Sequence, residues 1–529
     1  MKRSIIEDSD PQHTLIKALC TPAAYPHPVQ AIDLLETHIS RVILTGPFAY
    51  KIKKPVDLQF LDFTTLEKRR HYCHEELRLN RRLAPQLYLD VVPITGSPDA
   101  PVLGGSGPVI EYALKMRQFP QEALLARLLV RDAVTPAHID ALARQVAAFH
   151  AQAAVADAAV PFGTPERVHQ PVEENFRQIG ERIQAAEDRA VLERLRVWTE
   201  HEYEVRLPDL ARRKEQGFIR ECHGDMHAGN MVLLDDEITV FDCIEFNENL
   251  RWIDVMCEVA FVVMDLTDRG RADLAYRFLN AYVEATGDYD GLRVLRYYLV
   301  YRALVRAKVA IIRMTQDDLD AQSAAETRER YRNYTRLAER YTAPPAPLLM
   351  ITCGLSGSGK TTVTQALLEH LGAIRLRSDV VRKALFGLAP EARSGSGVAS
   401  GLYTRDAGER TYARLAELAR TILSAGYPVI LDATFLKRAQ RDDMRQVAAD
   451  LGVPFRILHV HAPDEVLRAR VARREREARD PSEANLAVLE AQIKNLEPLA
   501  PEEQSSVIAI DANAPLEMAR LAEALGNGW

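Results

Sequence analysis

The chain has 529 residues, of which 47% are hydrophobic and 27% charged, and its formal net charge at pH 7 is −7. This length predicts two to four domains, and the negative balance argues against a protein that mainly coats nucleic acid. The chain shows neither a signal-peptide pattern at its start nor an apolar run of membrane-spanning length, so we expect a cytoplasmic protein. Its six cysteines form no C-x-x-C pair, which argues against a zinc knuckle or a disulfide framework.

After an N-terminal segment of residues 1–30, residues 31–115 have the pattern of a small lobe of strands with one helix. Short apolar runs bounded by turn residues predict strands, at residues 42–44, 49–53, 91–94 and 109–112. The first two would form a hairpin that turns at Gly46, and a Gly/Pro/Ser turn region at 95–108 would join the last two. The single helix is expected around residues 65–83, before Pro85.

The next part of the chain, residues 116–342, is predicted to be mostly helical, with a β-rich island at 218–246. A proline-rich linker follows at 343–347, where prolines end helical structure and stiffen the connection. Beyond it, apolar runs alternate with helical stretches, which predicts a parallel sheet covered by helices over residues 348–529. These runs lie at 348–352, 374–376, 429–431, 455–460 and 507–510.

The β-rich island contains the sequence His-Gly-Asp-Met-His-Ala-Gly-Asn at 223–230, and Asp242 follows another short apolar run. The spacing H-x-D-x-x-x-x-N matches the catalytic loop of protein kinases. In that pattern Asp225 would accept the proton of an attacking hydroxyl, while Asn230 and Asp242 would hold Mg²⁺ beside the ATP phosphates. Amide and carboxylate oxygens are hard donors of the kind that Mg²⁺ prefers, and we expect a scaffold role for His227.

The 223–230 loop closely resembles the H-G-D-x-H-x-x-N motif of the aminoglycoside phosphotransferase family, and the likeness covers most of residues 30–340. The resemblance implies an α+β protein-kinase-like bilobal domain over 31–342, with an N-lobe at about 31–115 and a C-lobe at about 116–342. It also implies a strand lysine paired with a helix glutamate, an adenine-binding hinge and a carboxylate that steadies the catalytic loop. The positions that fit are Lys51 or Lys53 with Glu76, the hinge Glu111-Tyr112-Ala113, and Asp254.

Two features depart from the family pattern. No glycine-rich strand turn that could cover the phosphates is evident, since only Gly46 lies near. Glu245 stands close behind Asp242, where relatives often have an aromatic residue; it is either a third carboxylate beside the metal or an ordinary surface residue. These departures leave the acceptor open more than phosphoryl transfer itself.

The stretch from Gly354 to Thr362 fits G-x-x-x-x-G-K-[ST] without a mismatch, between an apolar run and a helical pattern. Its glycines would let backbone N–H groups close around phosphate oxygens, aided by the positive helix N-terminus. Lys360 would reach the β/γ-phosphates and the Thr361 hydroxyl would hold Mg²⁺. The nucleotide-binding residues predicted here are Gly354, Ser356, Gly357, Ser358, Gly359, Lys360, Thr361 and Thr362.

Asp379 and Arg382 form a D-x-x-R motif after a short strand. It resembles P-loop kinases of hydroxyl groups, including polynucleotide 5′-kinases, zeta-type toxins and chloramphenicol phosphotransferase. The resemblance implies that Asp379 takes the proton of the acceptor hydroxyl and that Arg382 binds a phosphate. The alternative is a helix N-cap at Asp379 beside a surface arginine. Asp432, at a strand end, is predicted to hold Mg²⁺, with helix capping as the alternative.

Arg470 and Arg474 lie four residues apart and would share a helix face. We expect them to belong to a lid over the transferring phosphate; a solvated face and a nucleic-acid patch are the alternatives. A Gly/Ser-rich loop at 395–401 is expected near the acceptor, with plain disorder as the alternative.

The sequence as a whole looks like a bifunctional aminoglycoside phosphotransferase/ATP-binding protein, in which the kinase-like domain is followed by an α/β P-loop NTPase domain. Both domains would bind ATP and Mg²⁺ and transfer phosphate to hydroxyl groups of small molecules. In the alternative, a P-loop polynucleotide 5′-hydroxyl kinase is regulated by a nucleotide-sensing kinase-like domain; the net negative charge ranks a nucleic-acid acceptor lower. The identity of the acceptors and the oligomeric state stay open.

Overall fold

The computed structural model describes residues 12–58, 61–314, 320–343, 346–389, 392, 404–477 and 485–526. The chain forms two compact units, and successive segments of its middle part belong alternately to one unit and to the other. The first comprises Met1–Ala141, Ala148–Pro171 and Leu210–Asp265. The second comprises Leu142–Ala147, Val172–Asp209 and Leu266–Trp529. Within the described ranges, no helix combines the length and the apolar character needed to cross a membrane.

The first unit begins with helix α1 (His13–Leu19) and contains a six-stranded antiparallel sheet in the order β1-β2-β3-β6-β4-β5. Its strands are β1 (Asp33–Glu36), β2 (Ser40–Leu44), β3 (Phe48–Lys53), β4 (Tyr88–Ser97), β5 (Ala100–Leu103) and β6 (Val109–Arg117). The predicted hairpin is confirmed by the pairing of β2 with β3, and the predicted helix is α2 (Leu66–Asn80). Strand β5 lies inside the predicted turn region; it is a short edge strand, where Pro101 is tolerated.

The β-rich island is confirmed as two small sheets that flank the catalytic-loop sequence. Its strands are β7 (Ile219–Glu221), β8 (Met231–Leu234) and β9 (Glu237–Val240); β10 (Trp252–Asp254), which pairs with β7, lies beyond the predicted end of the island. Six helices belong to this part of the chain, and several of them pass from one unit to the other: α3 (Leu125–Val130), α4 (Pro136–Gln152), α5 (Pro165–Gly180), α6 (Ala186–Glu215), α7 (Glu248–Arg251) and α8 (Val255–Asp268).

All five apolar runs predicted for the second part are strands of one parallel sheet in the order β12-β13-β11-β14-β15. The strands are β11 (Leu349–Cys353), β12 (Ile374–Arg377), β13 (Val429–Asp432), β14 (Phe455–His461) and β15 (Val507–Asp511). The helices of this unit are α9 (Ala272–Thr286), α10 (Leu292–Met314), α11 (Ala321–Thr342), α12 (Lys360–Leu371), α13 (Ser378–Leu385), α14 (Arg405–Ser424), α15 (Arg438–Asp450), α16 (Asp464–Glu477), α17 (Leu486–Asn495) and α18 (Met518–Leu525).

Helix α9 completes the free edge of the parallel sheet through the buried side chain of Asn280. The Asn280 amide donates to the carbonyl of Ala373 (3.0 Å) and accepts from the backbone N–H of Arg375 (2.8 Å), as a neighbouring strand would. Two ion pairs also hold α9 in place: Arg277 pairs with Glu369 of α12, and Glu284 pairs with Arg377 of β12. The second unit therefore includes helices from both sides of the predicted boundary at 343–347, which itself remains a prediction.

Replacing Asn280 with alanine is expected to destabilise the second unit, because two backbone groups on the edge of β12 lose their partner. A buried polar group left without a partner costs about 1–3 kcal/mol. Urea unfolding and amide hydrogen exchange at residues 373–377 would measure the loss. The matched control is Asn495→Ala, which removes an exposed amide that bonds its own helix at Ala491. Unchanged exchange at the edge of β12 in Asn280→Ala would contradict the expectation.

Candidate functional site

The catalytic-loop residues converge at one point in the first unit. The Asn230 amide donates to Asp225 Oδ2 at 2.9 Å and to the Asp225 carbonyl at 3.0 Å. His223 accepts from the Asp225 N–H (3.2 Å) and donates to the carbonyl of Phe241 (2.9 Å), while burial lowers the pKa of His223. These bonds need a neutral imidazole, so His223 ties the loop to the segment that carries Asp242.

His227 occupies a position that fits the scaffold role expected for it. Its Nδ1 accepts from the backbone N–H of Gly229 (3.0 Å), so its Nε2 carries the proton in the neutral ring. That Nε2 lies 3.4 Å from Asp225 Oδ2, on the same oxygen that Asn230 contacts. Both neighbours therefore orient the Asp225 carboxylate.

Lys51 joins the N-lobe to the segment that carries Asp242. Its Nζ lies 2.7 Å from Glu76 Oε1 on α2 and 2.7 Å from Asp242 Oδ1. Lys53 also pairs with Glu76, at Oε2 (2.7 Å), and its other partner is Glu245. Burial opposes ionisation of Glu76, but the two lysines lower its pKa to about 2, so the carboxylate is charged at neutral pH.

A cavity of about 510 Å³ unites these residues. Lys51, Asp225, Asn230 and Asp242 all line it, whereas Lys53 does not. The side chains of Asp225 and Asp242 remain 35% and 44% exposed towards solvent, unlike the fully buried Glu76. Apolar side chains also line the cavity and suit a flat base, among them Val42, Leu44, Ala49, Met116, Phe119, Leu124 and Phe241. Of the two candidate lysines, Lys51 is thus the one that faces the cavity.

The structure contradicts the assignment of Glu111 and Ala113 to an adenine-binding hinge. Both are buried in the middle of β6, where β3 and β4 pair with the strand on either side, and neither lines the cavity. The Glu111 carboxylate instead holds Arg69 and Gln12. Strand β6 continues to Arg117, so the backbone that borders the cavity is the segment 116–119 at its end.

The catalytic loop is held by two buried carboxylates of α8. Glu258 accepts from the Gly224 N–H (2.6 Å) and from His150 Nε2 (2.9 Å), and Asp265 accepts from the Ala228 N–H (2.9 Å). Asp254, expected to steady this loop, forms a buried ion pair with Arg213 at 2.7 Å. Glu258 and Asp265 were not among the residues predicted from the sequence, although their spacing of seven residues on one helix places them on one face.

Replacing Glu258 with glutamine is expected to lower turnover at the first site by about 100-fold, the typical effect of a small misplacement of catalytic groups. Both partners of this carboxylate are donors, so the amide NH₂ group would oppose one of them and shift the loop. Labelled phosphoryl transfer would measure the change. The control is Glu248→Gln, whose exposed side chain pairs with Arg251; equal activity of both variants would contradict the expectation.

The glycine-rich loop of the second unit lies between β11 and α12, as predicted. Gly357 and Gly359 have positive φ angles of 82° and 94°, and a Cβ at Gly354 would come within 2.2 Å of the Val460 carbonyl. Lys360 folds back over the loop and donates to the carbonyls of Gly354 (3.0 Å) and Leu355 (2.8 Å). The Ser358 hydroxyl is buried and has no hydrogen-bond partner, which suits a loop built to receive an acceptor such as a phosphate oxygen.

The predicted metal residues of the second site lie at the start of α12 and the end of β13. Thr361 and Thr362 are exposed in the first helical turn, and Asp432 is buried as the last residue of β13. Thr364, one turn after Thr361, donates to Asp432 Oδ2 at 3.1 Å. The carboxylate therefore faces the helix that carries the Thr361 hydroxyl. The remaining loop residue, Ser356, donates its N–H to Gln492.

Asp379 and Arg382 contact each other at the start of α13, with 2.8 Å between carboxylate and guanidinium. The N-cap of this helix is Arg377, and the Arg382 side chain is largely buried, so the alternative of a capping aspartate beside a surface arginine is wrong. Arg470 reaches the glycine-rich loop, where it donates to the carbonyls of Gly357 (3.4 Å) and Ala512 (2.9 Å). The Arg474 side chain and the Gly/Ser-rich loop at 395–401 lie outside the described residues.

A turn that contains no glycine lines the first cavity. Between β1 and β2, the Thr37 hydroxyl accepts from the N–H groups of Ile39 (3.3 Å) and Ser40 (2.9 Å) and contacts the Ser40 hydroxyl. Thr37, Ile39 and Ser40 line the cavity. A glycine-rich pattern does not detect this segment. Its sequence signal is a Thr/Ser pair between two short apolar runs.

Comparison with known proteins gives matches to both parts of the chain. The family model described as "Phosphotransferase enzyme family" (APH) matches residues 63–295, and the one described as "AAA domain" (AAA_33) matches residues 349–499. Uncharacterized protein Rv2004c of Mycobacterium tuberculosis is 31% identical over 427 residues, 80% of this chain and 83% of the relative.

Two further matches each cover one part. The adenylyl-sulfate kinase of Myxococcus xanthus is 33% identical over 125 residues, 24% of this chain and 63% of that protein. A solved choline/ethanolamine kinase family protein of Mesorhizobium loti aligns with 63% of this chain and 97% of its own, with 12% identity and a TM-score of 0.38.

Proposed function

We propose that both regions of the chain transfer the γ-phosphoryl group of Mg-ATP to hydroxyl groups of small molecules. The chain joins a region of the phosphotransferase enzyme family to an AAA-domain region, and it belongs to one family with the Mycobacterium tuberculosis relative, which it matches over 80% of its length. The first region acts through Asp225, Asn230, Asp242 and Lys51. The second acts through its glycine-rich loop with Asp379 and Arg382. The families of the two regions do not by themselves identify the acceptor of either one.

The observation that carries the proposal is the convergence of four polar side chains on one cavity. Lys51 of β3, Asp225 and Asn230 of the 223–230 loop, and Asp242 after β9 come from three separate segments of the first unit, yet all line the same 510 Å³ space. Each is held by a partner: Lys51 by Glu76, and Asp225 by Asn230. Pre-positioned charges of this kind are what phosphoryl transfer requires, since the protein contributes mainly positioning and electrostatic stabilisation.

The first site fits a Mg²⁺ ion by its donor set. Asn230 uses its amide N–H group on Asp225, which leaves its carbonyl oxygen to point elsewhere, and the half-exposed Asp242 carboxylate borders the same cavity. Bound there, the ion would neutralise charge on the phosphates. Lys51 would exchange Asp242 for a phosphate oxygen. Asp225 would accept the proton of the acceptor hydroxyl while the hydroxyl oxygen bonds to the γ-phosphorus and ADP leaves.

The second site would work by the same division of labour. The loop N–H groups and the start of α12 would bind the phosphates, and Lys360 would swing from its own loop carbonyls to the β/γ-phosphates. Thr361 and Asp432 would hold Mg²⁺, Arg470 would balance charge from above the loop, and Asp379 would accept the acceptor proton beside Arg382.

The test is a transfer screen with γ-labelled ATP on the wild type, on Asp225→Asn and on Lys360→Ala. The acceptor panel comprises sugars, aminoglycosides, nucleosides, a 5′-hydroxyl oligonucleotide, and adenylyl sulfate, which the name of the Myxococcus xanthus relative suggests. We expect each acceptor to lose labelling in one variant only. Transfer that depends on Lys360 alone, with nucleotide still bound at the first site, would make the first region a sensor instead.

A further inference from the structure

The first site contains a second lysine–glutamate pair beyond the one that the resemblance implies. Lys51 and Lys53, two residues apart on β3, each take one oxygen of Glu76 at 2.7 Å. At their other side, Lys51 contacts Asp242 and Lys53 contacts Glu245, three residues further along the same segment. The two strand lysines thus form a ladder with Glu76 on one side and the segment 242–245 on the other.

The inner rung of this ladder, Lys53 with Glu245, is buried, and Glu245 also lines the cavity. The side chains of Lys53 and Glu245 are 2% and 3% exposed, and Lys53 is absent from the cavity wall. Burial opposes the Lys53 charge, but Glu245 and Glu76 together hold the pKa of Lys53 above its ordinary value. An unpaired charge at this depth would be strongly destabilising, so Lys53 and Glu245 depend on each other. Glu245 is therefore not an ordinary surface residue, and the expectation of a third carboxylate near the metal stays a prediction.

The segment 242–245 is attached at each of its residues. The Asp242 N–H donates to the Tyr88 hydroxyl (3.1 Å), the Cys243 N–H to Asn80 Oδ1 (2.9 Å), and the Ile244 N–H to the carbonyl of His223 (3.1 Å). Asp242 has a positive φ of 65°, a conformation that costs energy for a residue with a side chain. Two side-chain pairs tie this segment to β3, Lys51 with Asp242 and Lys53 with Glu245, and the second does not depend on Lys51.

We propose that Lys53 and Glu245 are positioning residues of the first site, an inference that rests on the proposed function. They hold Glu76 and the strained segment 242–245 in place while Lys51 leaves Asp242 for a phosphate. Without the inner pair, Glu76 would have only Lys51 as a lysine partner and would compete with the nucleotide for it. With the pair, Glu76 keeps Lys53, and Asp242 stays directed at the metal.

The test uses the full-length chain with Lys360→Ala, so that nucleotide binding reports the first site. Titration calorimetry compares the affinity for AMP-PNP with Mg²⁺ and with EDTA in the parent and in Lys53→Met, Glu245→Gln and the double variant. We expect the Mg²⁺-dependent gain in affinity to fall about 10–100-fold, the usual effect of losing a group that orients a metal ligand. The double variant should lose no more than either single one, because the pair acts as a unit.

Two further measurements separate positioning from simple folding. The double variant removes both buried charges, so its thermal unfolding should stay closer to that of the parent than either single variant does. The matched control is Lys54→Met. Lys54 is adjacent to Lys53 but pairs with Glu36 (2.6 Å), which is not part of the ladder, so this variant should keep the full Mg²⁺ dependence. A double variant with the parent's Mg²⁺ dependence overturns this inference alone, whereas a parent without Mg²⁺-dependent binding overturns the proposed function and the inference with it.

Discussion

Replacing Asp225 with asparagine is expected to lower phosphoryl transfer by the first site by about 10²–10⁴-fold, the usual contribution of a positioned general base. The change keeps the shape of the side chain but removes the group that takes the acceptor proton. Its orientation depends on the Asn230 amide, at 2.9 Å from Oδ2, and that amide can bond an asparagine oxygen equally well. The protein should therefore fold normally and bind nucleotide with nearly unchanged affinity.

The measurement is initial-rate transfer of label from γ-labelled ATP in the Lys360→Ala chain, with an acceptor found in the screen. The matched control is His227→Gln, since His227 Nε2 lies 3.4 Å from the same carboxylate and is the other base within reach. We expect a loss below about 10-fold for this control, because His227 orients Asp225 without contacting the reacting atoms. If the order of the two effects were reversed, His227 would be the base and the assignment of Asp225 would be wrong.

In a chain whose second site is active, a turnover that Asp225→Asn leaves intact would have a different meaning. The first region would then bind nucleotide without transferring its phosphate, as the sensor alternative requires. The cavity itself does not separate these outcomes, because the same lysine, amide and carboxylate contacts serve binding and transfer. Only Asp225 distinguishes them, since its role begins when an acceptor hydroxyl is present.

Most of the fold could be predicted because its signals are local. Each of the five apolar runs after residue 348 is a strand of the parallel sheet, and the hairpin around Gly46 is present. Motifs with fixed spacing were equally informative, since the 223–230 loop and Asp242 meet at one cavity. In both cases the residues that matter are close in sequence, so their period or spacing determines their geometry.

The errors concern features that depend on distant contacts. Lys51 and Lys53 could not be separated by a two-residue period that puts both on one face; the contact of Lys51 with Asp242, 191 residues away, makes the distinction. The residues predicted to form the hinge do not line the cavity because strand β6 continues past them to Arg117, paired with strands on both sides. Asn280 acts as an edge strand for residues 373–375 from a helix 93 residues earlier, and no local pattern indicates that.

Replacing Lys360 with alanine is expected to lower transfer by the second site by about 10²–10³-fold, as when one preorganised donor to a developing negative charge is removed. In this structure the ammonium group bonds the carbonyls of Gly354 and Leu355, the loop that would surround the phosphates. A short swing would bring it to the β/γ-phosphates without any change in the backbone. Alanine is a good helix former at the first position of α12, so the fold should be unaffected.

The assay is label transfer in the Asp225→Asn chain, which leaves the second site as the source of activity. Lys494→Ala, an exposed lysine on α17 of the same unit, is the matched control and should retain full transfer. Calorimetry should show weaker nucleotide binding in Lys360→Ala, because the lysine contacts phosphates in the ground state as well as in the transition state. Full transfer by Lys360→Ala would mean that the loop from Gly354 to Thr362 does not bind the reacting phosphates, and the second site would then have to be sought elsewhere in the unit.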